Sequence, residues 1–382
     1  MTGPLAGVRV VELPGIGPGP FAAMMLADMG ADVIRVDRVT HVGRPRTTDV
    51  IGRGRSSIAV DLKHPKARDL VLQLLAGADV LIEGFRPGVA ERLGLGPRDC
   101  QQLNRRLIYG RMTGWGQYGP LAARAGHDLT YIAITGALDG CRRAGELPVP
   151  PMNLLGDFGA GAMYLAFGIA CALVEVGRSG MGQVIDAAIT DGAASMTNFV
   201  LGLQAQGLWG RPAGENLLDT GAPFYDVYRC ADGREVAVGA LEPAFYSELI
   251  RLTGQGLDPG DVLSPARRQD PRTWPEARRR WAELFASRSR DEWAALLADS
   301  DACVAPVLTL EEAADHPHLV ARSTYVEVDG VRQAGPAPRF SRTVAQIGAP
   351  APQPGDQTDE ILGGLGLDAT AIAGLRSDGV VA

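Results

Sequence analysis

The chain has 382 residues, of which 46% are hydrophobic, and it contains 49 glycines and 26 prolines. A chain of this size can bury substantial cores and is more often two domains than one. Its formal net charge of -7 argues against general nucleic-acid binding and against binding to anionic membranes. We therefore expect a soluble globular protein that binds neither nucleic acid nor membrane.

The N-terminal sequence MTGPLAGVRVVEL lacks the features of a signal peptide, and no apolar run is expected to span a membrane. The five cysteines are an odd set without CxxC spacing, which favours neither a zinc site nor a disulfide framework. We expect the cysteines to be reduced, the protein to be cytoplasmic and no metal to be bound.

The first 85 residues alternate between predicted strands and helices. Strands are predicted at VRVVEL, DVIRVD and DVLIEG, and helices at GPFAAMMLADMG and PKARDLVLQLLAGA. This alternation is typical of a parallel sheet with crossover helices. A long apolar helix is predicted to begin near Asp157, and another apolar helix at about 186–206.

The turn after the first strand is similar to a dinucleotide-binding turn, but the glycine spacing is wrong. Gly15 and Gly17 are present, whereas the position of the third glycine holds Pro20. Pro18 and Pro20 also remove backbone N–H groups that would bind a pyrophosphate. The turn therefore argues against a nucleotide-dependent oxidoreductase.

The pattern of elements changes beyond about residue 215. FYDVYRC and EVAVGAL flank Asp232-Gly233, a dipeptide that supplies the positive φ of a tight turn, and they predict a hairpin. Helices at about 243–253 and 291–298 and a strand at CVAPVLTL follow.

These patterns predict an α/β protein with two domains. The large domain is expected to comprise residues 1–214, completed by a C-terminal return at 326–382, and the small α/β domain residues 215–325.

The stretch RAGHDLTYIAITG places His127 and Asp128 side by side ahead of an apolar run. The other four histidines lie in polar or Pro-rich surroundings, so His127 is the one expected to point inward. A lone histidine there is more often a core residue than a catalytic one until a partner is found. Asp157 is a candidate partner, although a helix N-cap is an equally ordinary role for it.

Eight motifs occur in order between about residue 3 and about residue 345. They are GVRVVEL, LADMGADVIRVDR, DVLIEGFRPGVAERLGLG, MTGWGQYGP, GHDLTY, NLLGDFGAGAMY, GALEPAFY and DACVAPV. Together they resemble the α-methylacyl-CoA racemases within the class III CoA-transferase (CaiB/BaiF-like) family. The resemblance implies a large Rossmann-like parallel-sheet domain, a small α/β domain and an interlinked homodimer.

The resemblance also implies an activity that needs no cofactor. Inverting the carbon next to an acyl thioester requires one group to remove a proton from one face and another to deliver a proton to the opposite face. His127 and Asp157 match the two acid/base groups of the racemases, and Glu242 matches the glutamate that supports the histidine. The implied reaction interconverts the (2R) and (2S) forms of 2-methylacyl-CoA thioesters through an enolate.

A groove for the CoA moiety is implied in the same way. The matching residues are Arg38, Val60, Asp61, Leu62, Lys63, Gly84, Phe85, Arg86, Arg92, Gly126, His127, Asp128, Leu129, Thr130 and Tyr131. Arg44, Arg46, Arg53 and Arg55 form a basic stretch nearby that either faces CoA or is simply solvated. For Asp128, a structural role is favoured over a role in the site.

Two alternatives remain open. In a class III CoA transferase, Asp157 attacks an acyl-CoA and carries the acyl group as an anhydride. A non-enzymatic acyl-CoA-binding protein would need the groove but not the three titratable groups. The motifs GHDLTY and GALEPAFY favour proton transfer, whereas Thr130 and Phe21 depart from the usual racemase residues and leave the substrate preference open.

Overall fold

The computed structural model describes residues 2–44 and 49–382, so Arg46 of the basic stretch lies outside the described residues. The chain divides into two compact units. The first comprises Met1–Thr135, Pro151–Met196 and Val320–Ala382, and the second comprises Gly136–Pro150 and Thr197–Leu319. Two stretches that the sequence assigns to the large domain, 136–150 and 197–214, thus belong to the second unit, and residues 320–325, assigned to the small domain, belong to the first.

A six-stranded parallel sheet forms the centre of the first unit. Its strands are β1 (Arg9–Glu12), β2 (Asp32–Asp37), β3 (Arg55–Ala59), β4 (Val80–Glu83), β5 (Ile108–Thr113) and β6 (Val184–Ala188). Their order across the sheet is β3-β2-β1-β4-β5-β6, and all neighbouring pairs are parallel. This is the strand order of a Rossmann fold, and it confirms the predicted fold class.

The order reverses between β1 and β4, which are adjacent in the sheet but distant in sequence. In open α/β sheets, ligands bind beyond the carboxyl ends of the strands at such a switch point. The fold therefore directs attention to the turns that follow Glu12 and Glu83.

Helices of the first unit connect and cover the strands. They are α1 (Pro18–Asp28), α2 (Ala67–Ala76), α3 (Val89–Arg92), α4 (Pro97–Leu103), α5 (Asp128–Ile134), a π-helix (Leu154–Ala162), α6 (Met163–Ser179) and α7 (Ile189–Met196). Short 3₁₀ turns lie at Val39–His41 and Val50–Gly52. Val11, Leu13 and Leu81 of the sheet region join Leu70 and Leu74 of α2 in one buried cluster.

The second unit is built around a three-stranded antiparallel sheet. Its elements are α8 (Asn198–Ala205), β7 (Tyr225–Arg229), β8 (Glu235–Gly239), α9 (Pro243–Thr253), α10 (Trp274–Phe285), α11 (Arg290–Leu297), β9 (Val304–Pro306) and α12 (Leu310–Asp315). The β7–β8 hairpin, α9 and α11 lie where the sequence predicts them. Trp281, Phe285 and Trp293 fill the core of this unit.

The C-terminal segment that follows α13 (Pro317–Ala321) is part of the first unit. It contains the hairpin β10 (Tyr325–Val328) and β11 (Val331–Ala334), then α14 (Thr358–Gly364) and α15 (Ala369–Ser377). The chain end lies beside the end of strand β3. The N–H of Asp61, two residues after β3, donates to the carbonyl of Val380 at 2.9 Å. Val380 and Val381 are buried in the core of the large sheet.

Three sequence predictions of elements are wrong. Strand β3 was not predicted, so DVLIEG is the fourth strand of the chain rather than the third. The helix predicted at about 186–206 is instead the end of β6 followed by the separate helices α7 and α8. In the second unit, α10 occupies an arginine-rich stretch for which no helix was predicted.

The continuous helical segment Leu154–Ser179 is long and apolar enough to cross a membrane by length and composition, with a mean hydropathy of 1.7. The sequence expectation that no run reaches this length is therefore wrong. The same property is common in core helices, and here Leu165 and Ile169 of α6 are fully buried and approach Gly110 of β5. The helix serves as a layer on the sheet.

Candidate active site

A cavity of about 540 Å³ lies at the carboxyl ends of the strands, beside the switch point between β1 and β4. The turn after β1 contributes Ile16–Pro18 and the turn after β4 contributes Gly84–Pro87. His127 and Asp157, the two candidate acid/base residues, line this same cavity. The structure thus brings together residues that are 30 positions apart in sequence.

His127 is the N-cap of α5 and has extended backbone angles. Thr130 fixes its backbone, since Oγ1 of Thr130 accepts the N–H of His127 at 3.0 Å and donates to its carbonyl oxygen at 2.7 Å. The side chain of His127 is exposed in this chain, whereas the neighbouring Asp128 is buried. The expectation that His127 points inward is therefore wrong. It is Asp128 that enters the interior, because α5 begins between the two residues.

Asp157 lies in the first turn of the π-helix. The N-cap of this helix is Asn153, and the wide turn is marked by the bond from the N–H of Phe158 to the carbonyl of Asn153 at 3.3 Å. The prediction that a long apolar helix begins near Asp157 is confirmed, but Asp157 is not the N-cap of that helix. π-helical turns interrupt regular helices most often at functional sites.

The backbone N–H of Asp157 donates to Oδ2 of Asp128 at 2.6 Å. This amide is therefore engaged within the protein. The approach depends on Gly156, where an added Cβ would lie 2.5 Å from Oδ2 of Asp128. Within the described residues, Oδ1 of Asp128 is buried without a hydrogen-bond partner.

The electrostatic surroundings of Asp157 favour its protonated form. Burial is the largest cause that raises its pKa, and the negative charge of Asp128 raises it further. The amide of Asn153, 3.4 Å from Oδ2, and the charge of His127 act in the opposite direction. The net effect is a pKa above the usual value for aspartate, as expected for a group that acts as an acid and a base near neutrality.

The glycine and proline turn after β1 forms one wall beside Asp157. Gly17 has a φ of +69°, and an added Cβ there would lie 3.4 Å from Oδ2 of Asp157. On the other side, Phe21 of α1 stacks on Phe158 with ring centroids 4.5 Å apart. The glycine and proline turn that does not match a dinucleotide site therefore lies against the carboxylate of Asp157.

Tyr131 lines the cavity from α5 and is held in a narrow slot. Its ring packs edge-on against Trp115 at 4.6 Å, and a Cβ on Gly114 or Gly126 would clash with it at 2.0 or 2.5 Å. Burial raises the pKa of the Tyr131 hydroxyl, and the charge of Asp157 raises it further. The sequence suggested Tyr131 only through resemblance and gave no signal for its packing.

Two further cavities of about 710 and 570 Å³ adjoin the first and share Phe85 with it. The predicted CoA residues that line the three cavities are Arg38, Val60, Asp61, Leu62, Lys63, Gly84, Phe85, Arg86, Gly126, His127 and Tyr131. The described linings do not include Arg92, Asp128, Leu129 or Thr130. Arg92 is exposed on α3, and its guanidinium lies near Gly88.

Among the described residues of the basic stretch, Arg55 lines the cavity of about 710 Å³. Arg53 pairs with Asp28 at 2.6 Å and Arg55 pairs with Glu12 at 2.6 Å, and all four side chains are buried. Arg44 is exposed but lines none of the three cavities that the described residues form. Arg53 lies just before β3 and Arg55 is its first residue, in a strand that the sequence did not predict.

Glu242 lies in the second unit as the N-cap of α9, followed by Pro243 at the first helical position. The predicted start of this helix is confirmed. Its side chain is exposed, and its charge contributes to raising the pKa of Cys303, for which burial is the larger cause. Arg268 is the nearby cation, and its guanidinium donates to the carbonyls of Ala240 and Leu241.

The fold and the site define an α/β protein with a Rossmann strand order and with His127 and Asp157 in one cavity at the switch point. The chain belongs to CoA-transferase family III, whose model matches residues 5–358. It is 44% identical to the α-methylacyl-CoA racemase of Mus musculus and 43% identical to that of Homo sapiens. Each match covers 99% of this chain and 97% of the relative.

Among solved structures, the chain is similar to a CaiB/BaiF family protein from Brucella suis. The TM-score is 0.80 at 27% identity, and the match covers 96% of this chain and all of that one. The family recognised from the sequence motifs is confirmed by these comparisons.

Proposed function

We propose that this protein is an α-methylacyl-CoA racemase that interconverts the (2R) and (2S) forms of 2-methylacyl-CoA thioesters. The observation that carries the proposal is the presence of His127 and Asp157 on the walls of one cavity. The similarity in sequence to two α-methylacyl-CoA racemases over nearly the whole chain supports it.

The reaction is a proton exchange at the carbon next to the thioester carbonyl. One group, acting as a base, removes the proton from one face, and the electrons of the broken C–H bond move into an enolate. The second group, already protonated, delivers a proton to the opposite face and re-forms a C–H bond. His127 and Asp157 take these two roles, which exchange when the reaction runs in the other direction.

The raised pKa of Asp157 suits this cycle. As the proton donor it must be protonated before the step, and burial increases that fraction near neutral pH. Glu242 is the third member of the proposed catalytic set, and its role rests on resemblance to the racemases alone.

The CoA moiety lies along the two adjoining cavities. Arg38 and Lys63 are exposed cations on their walls and are suited to phosphate groups, while Val60 and Leu62 offer apolar surface. Arg86 lies where the catalytic cavity meets the groove. The protein thereby binds the long CoA moiety apart from the reacting carbon.

We also propose that the protein works in the cytoplasm as a homodimer. Helix α6 presents Met163, Tyr164, Phe167 and Val174 as exposed apolar side chains, and Phe167 is 70% exposed. Apolar surface of this kind is typical of an interface. Sedimentation of a folded, active monomer at nanomolar concentration would contradict the dimer.

The test of the proposed function is incubation of the protein with one pure epimer of a 2-methylacyl-CoA in deuterated water. A racemase yields both epimers, with one deuterium incorporated at carbon 2. A family III CoA transferase instead moves CoA to an acceptor acid without this exchange, and hydroxylamine traps its acyl group on Asp157. Retention of the starting epimer without deuterium would exclude racemisation.

A further inference from the structure

The segment that follows β4 contributes to every part of the proposed site. Phe85 lines all three cavities, and Gly84 and Arg86 line two of them. Helix α3 begins shortly afterwards, after Gly88 with a φ of +83°. The position of this one turn therefore affects both the catalytic cavity and the groove.

Glu83, the last residue of β4, forms a hydrogen bond to the backbone of this turn. Its side chain is fully buried, and its Oε2 accepts the backbone N–H of Phe85 at 2.7 Å. Its other oxygen, Oε1, accepts Nε of Arg111 at 2.9 Å. The two carboxylate oxygens thus join the turn to the neighbouring strand β5.

Arg111 extends this connection to α3. Its guanidinium donates to both carboxylate oxygens of Glu91, at 2.9 and 3.4 Å, in a forked arrangement. Arg111 is almost fully buried, while Glu91 is half exposed. One guanidinium therefore links the end of β4 to α3 on the far side of the turn.

Burying an ionised carboxylate is costly. Burial is the largest cause that raises the pKa of Glu83, against the bonds from Phe85 and Arg111. A buried ion pair is weak evidence for stability, because apolar residues of similar volume often stabilise a fold as well or better. The carboxylate of Glu83 can accept hydrogen bonds from Phe85 and Arg111 at the same time, which an apolar side chain cannot do. A need to fix the turn therefore explains why a charged residue is buried here.

We propose that Glu83 and Arg111 are positioning residues that hold the turn at Gly84–Arg86 in the geometry that binds acyl-CoA. The inference rests on the proposed function, because it assumes that acyl-CoA occupies the cavities lined by this turn. Neither residue touches substrate. Their effect is on the binding of the CoA moiety more than on the proton transfer.

The test is the substitution Glu83→Gln. An amide has one acceptor oxygen and one NH₂ group, so either Phe85 or Arg111 then faces a donor instead of an acceptor. Leaving a buried donor unsatisfied weakens the turn, and we expect the KM for a 2-methylacyl-CoA to rise about tenfold while kcat changes less than about twofold. Glu91→Gln, at a half-exposed site, should raise KM by a smaller factor and serves if Glu83→Gln does not fold.

The matched control is Arg53→Lys. Arg53 and Asp28 form an equally buried, doubly hydrogen-bonded pair in the same unit, and neither lines the three cavities of the described chain. We expect this variant to lose thermal stability with KM unchanged. Equal KM values for Glu83→Gln and wild type, or the same KM increase in Arg53→Lys, would overturn the inference.

Calorimetric titration with free CoA separates this inference from the proposed function. Wild type that binds no CoA would contradict the groove itself. Wild type and Glu83→Gln that bind CoA with the same affinity would contradict the positioning role alone. Weaker binding by Glu83→Gln, with normal binding by Arg53→Lys, is the supporting result, and it does not depend on the reaction.

Discussion

The carboxylate of Asp128 accepts the backbone N–H of Asp157 at 2.6 Å and thereby joins the first turn of α5 to the π-helix. The two residues are 29 positions apart, and the contact is possible because residue 156 is a glycine. Asp128 therefore fixes the backbone of Asp157 and also places a second negative charge beside it.

Asp128→Asn tests both effects. The amide oxygen can still accept the N–H of Asp157, but the negative charge that raises the pKa of Asp157 is removed. Burial, the bond from Asn153 and the charge of His127 remain. We expect the pKa of Asp157 to fall, so the corresponding limb of the pH profile of kcat should move to lower pH. An unchanged profile would mean that the charge of Asp128 has no effect on the acid/base group.

Asp157→Asn should make the protein more stable at neutral pH and much less active. Because its folded pKa is raised, Asp157 binds its proton more tightly in the folded state, so wild type loses stability as pH rises from about 3.8 through the folded pKa. The variant lacks this loss. Removing an acid/base group lowers kcat by roughly 10²- to 10⁴-fold.

The measurement is the free energy of unfolding from urea titrations at several pH values. The free energy of unfolding of the variant should be higher than that of wild type above the titration range of Asp157. Below pH 3.8 the two values should converge. Asp191→Asn, at an exposed position on α7, is the control and should follow wild type throughout. A variant that is less stable than wild type at neutral pH would contradict the prediction.

Local patterns in the sequence predicted the elements with regular periodicity. β1, β2, α1, α2 and the β7–β8 hairpin lie where alternation, turn residues and helix signals place them. Strand β3 was missed because Arg55 and Ser57 are polar, and their burial depends on Glu12 and Asp37 from other strands. No short window of sequence contains that information.

Many of the candidate residues line the cavities of the described chain, but Arg92, Leu129 and Thr130 do not, and the geometry of the site was not predicted. The motifs placed His127 and Asp157 together, but they gave no sign that Asp128 is the buried neighbour. The π-helix was not predicted, because its glycines alone indicate only a flexible backbone. The need for glycine at position 156 becomes clear only from its contact with Asp128. Glu83 carried no signal at all, since its function depends on Arg111 from another strand.

Gly17→Ala should reduce activity beyond its effect on folding. The φ of +69° strains any residue with a Cβ by about 1–2 kcal/mol, and the new methyl group would contact Oδ2 of Asp157 at 3.4 Å. Gly7→Ala is the matched control, because its φ is +90° and the described structure has no atom within 4 Å of the added Cβ.

We expect both glycine variants to lose similar stability in chemical denaturation, and only Gly17→Ala to lower kcat. The added methyl also desolvates the carboxylate of Asp157 further, so the corresponding limb of the pH profile should move to higher pH. Equal kcat values in the two variants would show that the turn does not restrict Asp157.

His127→Ala and Asp157→Ala should affect the two epimers differently. If each group serves one face of carbon 2, the loss of one removes proton abstraction from one epimer and leaves the other epimer able to exchange its proton. The measurement is incorporation of deuterium from solvent into each pure epimer under single-turnover conditions. Each variant should lose roughly 10²- to 10⁴-fold in exchange from one epimer, and the affected epimer should differ between the two variants.

Steady-state racemisation needs both groups in either direction, so both variants should be slow from either starting epimer. This combination separates a two-base mechanism from a mechanism in which a single base reaches both faces. With a single base, loss of that base would lower exchange from both epimers, and loss of the other group would lower exchange from neither. Thr130→Ala is a useful control, because it removes the two hydrogen bonds to the backbone of His127 and leaves both acid/base groups in place. It should weaken exchange only from the epimer that His127 serves, and by a smaller factor than His127→Ala.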